Sequence, residues 1–120
     1  METMLAIAAL SALAHEGRLS IFRELVKAGP EGLAAGEVAR RTGILPNTLS
    51  ASLTVLSHAG LVASRREGRS IVYWAVYERM GELLNFLVED CCSGSPAVCT
   101  PLLPVIAQSG RCAGGAEEPA

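Results

Sequence analysis

A chain of 120 residues is one domain, long enough to bury a core and small enough to gain from association. Half of it is hydrophobic, only 4% is aromatic, and the net charge is −2. That favours helices with small side chains, and the overall charge does not by itself announce a nucleic-acid binder. No apolar run reaches membrane-spanning length. The apolar start METMLAIAALSALA lacks a Lys/Arg region and carries Glu2, so it is expected to be a helix rather than a signal peptide. The expectation is a cytoplasmic protein with no membrane partner and with reduced thiols.

The first helix is expected over Thr3–Leu13. It is apolar nearly all round, with Met4, Leu5, Ile7, Ala8, Leu10 and Leu13. A helix without a polar face must be covered on more than one side, and in so short a chain the cover is expected from a second subunit. Gly17 to Ala28 follows as a helix, with Leu19, Phe22, Leu25 and Val26 expected inward. Gly29–Pro30–Glu31–Gly32 ends it. A short helix, Gly36 to Thr42, is held down by Val38 and Ala39 and projects Arg40 and Arg41 from its end.

Gly43 breaks that helix, and Pro46 stands where a first helical position is expected, its φ already suited and its missing N–H not needed. From Pro46 to Ala59 the residues Leu49, Leu53 and Leu56 mark an inward face. The opposite face collects Asn47, Ser50, Ala51, Thr54 and His58, with Thr48 near its start. Small, uncharged, hydrogen-bonding side chains suit a helix laid against base edges. Gly60 ends the helix. Leu61–Arg66 and Ser70–Ala75 read as two strands joined by Glu67–Gly68–Arg69. Tyr77 to Asp90 reads as a last helix, with Met80, Leu83, Leu84, Leu87 and Val88 at helical spacing.

The fold expected is mainly α with a small β-hairpin: a winged helix-turn-helix over residues 1–90, with helical dimerisation elements at both ends. Residues 91–120 form a cysteine-containing tail whose end is expected to be disordered. Arg40, Arg41, Arg65, Arg66 and Arg69 gather in the central stretch, while acids gather at Glu78–Asp90 and Glu117–Glu118. A dimer would present those arginines twice on one side, where phosphates need them.

The run GEVARRTGILPNTLSASLTVLSHAGLV, followed by REGRSIVYWA, resembles the DNA-binding core of the ArsR/SmtB family of metalloregulatory repressors. The preceding ALAHEGRLSIFRELVKAG resembles that family's approach to the core, so the resemblance covers residues 9–88. It implies a homodimer on double-stranded operator DNA. Asn47, Thr48, Ser50, Ala51 and Thr54 would lie in the major groove, with Arg41 and the wing residues Arg65, Arg66 and Arg69 on phosphate or in the minor groove. The dimer interface implied is Met4, Leu5 and Ala8 of the first helix with Leu83, Leu84 and Leu87 of the last.

The family's Cys-x-Cys metal box would fall at Ala34–Gly36, and its second site needs histidine on the last helix; this sequence carries neither. Ser52 stands where the family often has histidine. His15 and His58 are isolated and are read as surface or capping residues rather than metal ligands.

All four cysteines, Cys91, Cys92, Cys99 and Cys112, follow the last helix. Gly94 and Pro96 let the chain turn back, so Cys99 can approach Cys91 and Cys92 and make a soft three-thiolate site. Tetrahedral zinc would want a fourth ligand. A Cys-Cys-x6-Cys cluster after the last helix resembles the arsenite-responsive members of the family, which implies As(III) as inducer and no organic cofactor. Antimonite, methylarsenite, Cd(II), Pb(II) and thiol oxidation remain alternatives, as do cysteines with no ligand at all. An enzyme is not expected. There is no Cys-x-x-Cys, Val98 rather than Arg stands six after Cys92, and no Ser/His/Asp grouping suggests hydrolysis.

Overall fold

The computed structural model describes residues 1–88, in the order α1 (Thr3–Leu13), α2 (Glu16–Ala28), β1 (Leu33–Ala34), α3 (Ala35–Thr42), α4 (Pro46–His58), β2 (Val62–Glu67), β3 (Ser70–Ala75) and α5 (Tyr77–Val88). The winged helix-turn-helix is the architecture expected from the sequence. Residues 1–86 form one unit; Leu87 begins a second, of which only Leu87 and Val88 are described.

The core is built around α2 and α4. Ile21, Phe22 and Leu25 face Leu49, Leu53 and Leu56, and Val38, Leu61, Val62 and Leu83 close the cluster. The i, i+4, i+7 spacing of the α4 leucines thus does what it predicts. On α2 one inward residue differs: Leu19 is exposed and Ile21 is fully buried in its stead. The helix also begins one residue earlier than expected, because His15 caps it. The His15 Nδ1 accepts from the backbone N–H of Gly17 at 3.1 Å and of Arg18 at 3.4 Å. His15 is therefore a capping residue, as its isolation suggested.

Helix α1 is apolar all round, yet its two sides differ in size. Ala6, Ala9 and Ala12 are buried, whereas Met4, Leu5, Ile7 and Leu10 are exposed. A row of alanines at i, i+3, i+6 lets the helix approach α2 and α4 closely. The large side chains are left outside.

The sheet has three strands, not the two expected, in the order β1-β3-β2, antiparallel throughout. Two residues carry no alternation, so Leu33–Ala34 leaves no strand signature in the sequence. The wing connection is also tighter than expected. Glu67 pairs with Ser70 inside the ladder, which leaves Gly68–Arg69 as a two-residue turn.

Gly32 makes the β1 pairing possible. Its φ is +75°, and a Cβ there would stand 2.4 Å from the backbone carbonyl oxygen of Tyr73. Gly32→Ala is expected to cost at least ~2 kcal/mol, since the left-handed conformation alone costs about 1–2 and backbone cannot step aside as a side chain can. Urea unfolding followed by circular dichroism checks it; an unchanged midpoint would mean that β1 is dispensable.

Helix α5 is anchored at its start, where the Tyr77 hydroxyl donates to the Val26 carbonyl at 3.0 Å. Leu83, expected at the dimer interface, is 4% exposed and belongs to the core of its own protomer. Leu84 and Leu87 are exposed, three apart on one helical face. The helical spacing of the stripe was right, but it divides: one part turns inward and one outward. The expected continuation of α5 to Asp90 lies outside the described residues. Among the described residues no single helix is long and apolar enough to cross a membrane.

Candidate nucleic-acid interface

The turn between α3 and α4 fixes the presentation of α4. Gly43 takes the left-handed conformation at φ +74°, and its N–H donates to the Ala39 carbonyl, ending α3. Thr42 Oγ1 donates to the Val38 carbonyl at 2.8 Å and accepts from the Ile44 N–H at 3.3 Å. Ile44 then packs against the core, while Leu45 points away from it.

Leu45 is the N-cap of α4, with Pro46 in the first turn behind it, and no side chain caps the helix. It is 73% exposed, as much as any large hydrophobic residue described. Sequence reasoning did not single it out, although leucine before Pro46 at a helix start is a readable anomaly. Leu45→Ser is expected to raise stability by about 1 kcal/mol by supplying the missing cap. A thermal melt of the variant beside the parent tests this, and a lower melting temperature would show that Leu45 packs on something.

Asn47, Thr48, Ser50, Ala51 and Thr54 are all exposed on α4, as the spacing predicted. The Thr54 hydroxyl donates to the Ser50 carbonyl at 3.0 Å. Ser52 is 5% exposed and turns into the core, so it takes no part in this face. The result is an exposed, uncharged, small-residue surface along α4.

The arginines around this face do not form one free cluster. Arg40 and Arg41 both bind the Glu37 carboxylate, Arg41 through its Nε at 2.8 Å. The two guanidiniums, Arg40 first, hold the Glu37 carboxyl down at about 2 from its usual 4.5. Glu37 is therefore ionised under all ordinary conditions, and both arginines keep their acceptor. Arg41 also lies 3.9 Å from Glu24 of α2, tying the helix-turn-helix to the helix beneath it. Its expected contact with DNA is thus shared with two carboxylates. The spacing Glu37, Arg40, Arg41 at i, i+3, i+4 was the signal for this cluster.

On the wing, Arg66 and Arg69 are exposed and have no carboxylate partner within 4.0 Å among the described residues. Arg65 is different. Its Nε donates to Glu67 Oε2 at 2.5 Å, and its guanidinium carbon stands 5.2 Å from the centre of the Trp74 ring.

Among the described residues no group of three or more His, Cys, Asp or Glu is placed to hold a metal ion. The expected ligands Cys91, Cys92 and Cys99, like Cys112, lie outside the described residues.

A helix-turn-helix domain family matches residues 13–65. The nodulation protein NolR of Rhizobium meliloti is 35% identical over 85 residues, which span 68% of this chain and 67% of NolR. Two solved structures are similar over most of the chain. One is the homodimeric winged helix-turn-helix DNA-binding domain of Mb0332 from Mycobacterium bovis, a possible ArsR-family transcriptional regulator. It is 31% identical, with TM-score 0.58, over 72% of this chain and 80% of that one. The other is the transcriptional repressor BigR from Xylella fastidiosa, 33% identical, with TM-score 0.55, over 72% of this chain and 85% of that one.

Proposed function

This chain belongs to the ArsR family of winged helix-turn-helix transcriptional regulators, DNA-binding proteins rather than enzymes, and from that premise we propose that it is a cytoplasmic homodimeric repressor released from its operator by As(III). The observation that carries the operator reading is the exposed, uncharged face of α4 beside an arginine-bearing wing. Base edges are read by side chains such as Asn47, and phosphates by cations such as Arg66 and Arg69.

The inducer reading rests on the donor set in the sequence. Cys91 stands three positions after Val88, the last described residue of α5, with Cys92 adjacent and Cys99 seven further on. Three thiolates are soft donors, and a three-coordinate soft ion satisfies them without a fourth ligand. The adjacent pair favours a second reading, methylarsenite, which needs only two sulfurs. Antimonite, Cd(II), Pb(II) and disulfide formation complete the field. A titration of operator-bound protein with each ion under reducing conditions, and with peroxide separately, separates them. Release by arsenite at the lowest concentration supports the proposal, and release by peroxide alone would replace it.

The DNA roles are tested independently. Arg69→Ala is expected to weaken binding to all sequences alike and to flatten the log–log salt dependence by about 0.9 per protomer. Asn47→Ala is expected instead to change sequence preference, relaxing one position by about 1–3 kcal/mol. Anisotropy titrations over a set of operator variants distinguish the two, and the reverse pattern would exchange the assignments.

A further inference from the structure

The wing offers Arg65, Arg66 and Arg69 to a nucleic acid, and the structure holds them unequally. Arg65 pairs with Val72 across the ladder, and Ala63 with Trp74. Trp74 is therefore the diagonal neighbour of Arg65 on the same face of the hairpin, as the period of two requires. Glu67, two residues on, shares that face. The Arg65 guanidinium is thus held between an aromatic face at 5.2 Å and a carboxylate at 2.5 Å. Both are suited to a planar cation. Arg66 lies on the other face opposite Ile71, and Arg69 lies in the turn.

We propose that Glu67 and Trp74 withhold Arg65 from DNA, so that Glu67 limits the wing's affinity for DNA of any sequence. The proposal rests on the reading that the wing meets phosphate. A cation already neutralised by a carboxylate adds no counterion release when DNA arrives. The paired Arg65 lowers the sequence-independent part of binding and leaves the base-reading face of α4 untouched, so base contacts supply a larger share of what affinity remains.

The test measures the salt dependence of binding to a fluorescein-labelled duplex of arbitrary sequence, using the full chain. Arg66→Ala and Arg69→Ala should each flatten the slope by about 0.9 per protomer, while Arg65→Ala leaves it unchanged. Glu67→Gln should steepen it by the same amount, because it frees Arg65. The double variant Arg65→Ala/Glu67→Gln should return to the parental slope. Trp74 is the only tryptophan in the chain, so its fluorescence reports on the pair directly. Its emission should change in Arg65→Ala without DNA. On adding DNA it should change in Glu67→Gln but not in the parent.

A slope flattened by Arg65→Ala as much as by Arg69→Ala would overturn the inference, since Arg65 would then be on the DNA. An unchanged slope in Glu67→Gln would overturn it as well. If none of the three arginine variants moved the slope, the wing contacts of the proposed function would fall first, and this inference with them.

Discussion

Serine at Cys91 or at Cys92 is expected to leave operator binding intact and to abolish release by arsenite. Both residues lie outside the described winged helix-turn-helix, whose described core is drawn from α1 to α5 and the hairpin. Folding and DNA affinity should therefore be unchanged. Both follow closely on α5, whose exposed Leu84 and Leu87 are proposed to meet a second subunit. On the proposed reading, a ligand held there would act at the end of a helix that pairs the two subunits. Two recognition helices must match half-sites about one DNA turn apart, so a small shift at the interface becomes a mismatch in the groove. Moving the population from almost wholly bound to almost wholly released takes about 5.5 kcal/mol of differential binding. Three soft thiolate bonds are a strong enough source, and replacing one thiolate by a hydroxyl removes a donor. Cys99→Ser should weaken the response to arsenite more than the response to methylarsenite, and Cys112→Ser should change neither. Operator binding by anisotropy, with and without each ligand, reads all four variants. Cys91→Ser protein that still leaves the DNA at the parental arsenite concentration would place the inducer site elsewhere.

The recognition unit was the most legible part of this sequence, because several local signals agreed. Gly43, Pro46, the Leu49–Leu53–Leu56 spacing and the turn at Gly68 each point to the same helix, turn, helix and hairpin. Where only one signal existed, the reading slipped. Leu19 and Ile21 are equally apolar and two apart, so periodicity alone did not decide which faced inward; the packing of α2 on α3 and α4 did. Strand β1 is too short to alternate, and it exists because Gly32 lets the chain come within reach of Tyr73. On α5 the apolar stripe was visible, but its width was not. A stripe that packs on its own core and one that packs on a partner have the same period, and only the fold separates Leu83 from Leu84.

The interface was legible by position and less so by charge state. The outward residues of α4 follow from the inward ones by helical geometry. The arginines do not, because a sequence counts cations without showing which are already paired. Glu37 could have been matched to Arg40 and Arg41 by spacing. The Trp74 contact with Arg65 depends on the strand register, which follows from the two-residue turn and not from the three-residue connection the sequence suggests. The proposed inducer site rests on the cysteine spacing, on thiolate chemistry and on a resemblance to arsenite-responsive members of the family.

A charge placed on the outer side of either terminal helix is expected to produce a folded monomer with crippled operator binding. Met4 is 73% exposed, Ile7 53%, Leu5 44% and Leu10 42%, all on a helix whose inward contacts are made by alanines. Each of these side chains leaves at least two fifths of its surface uncovered in one protomer, and that apolar area calls for another surface. In a two-fold dimer each buried residue counts twice, and a fully buried leucine or isoleucine contributes about 1.5–3 kcal/mol. Leu5→Glu or Leu84→Glu would bury an unpaired carboxylate there, which costs more than the apolar contact gave. Neither site belongs to the protomer core, so the circular dichroism spectrum and cooperative melting should survive. Leu83→Ala is the contrasting case. It opens a cavity inside the protomer and should cost about 2–5 kcal/mol of stability without selectively breaking the dimer. A monomer holds one half-site and loses the contribution of the second, so specific affinity should fall by at least about 10³-fold, towards non-specific values. Sedimentation gives the mass and anisotropy the affinity of each variant. A Leu5→Glu protein that remained dimeric, or a monomer that bound operator like the parent, would show that the exposed side of α1 serves something other than pairing.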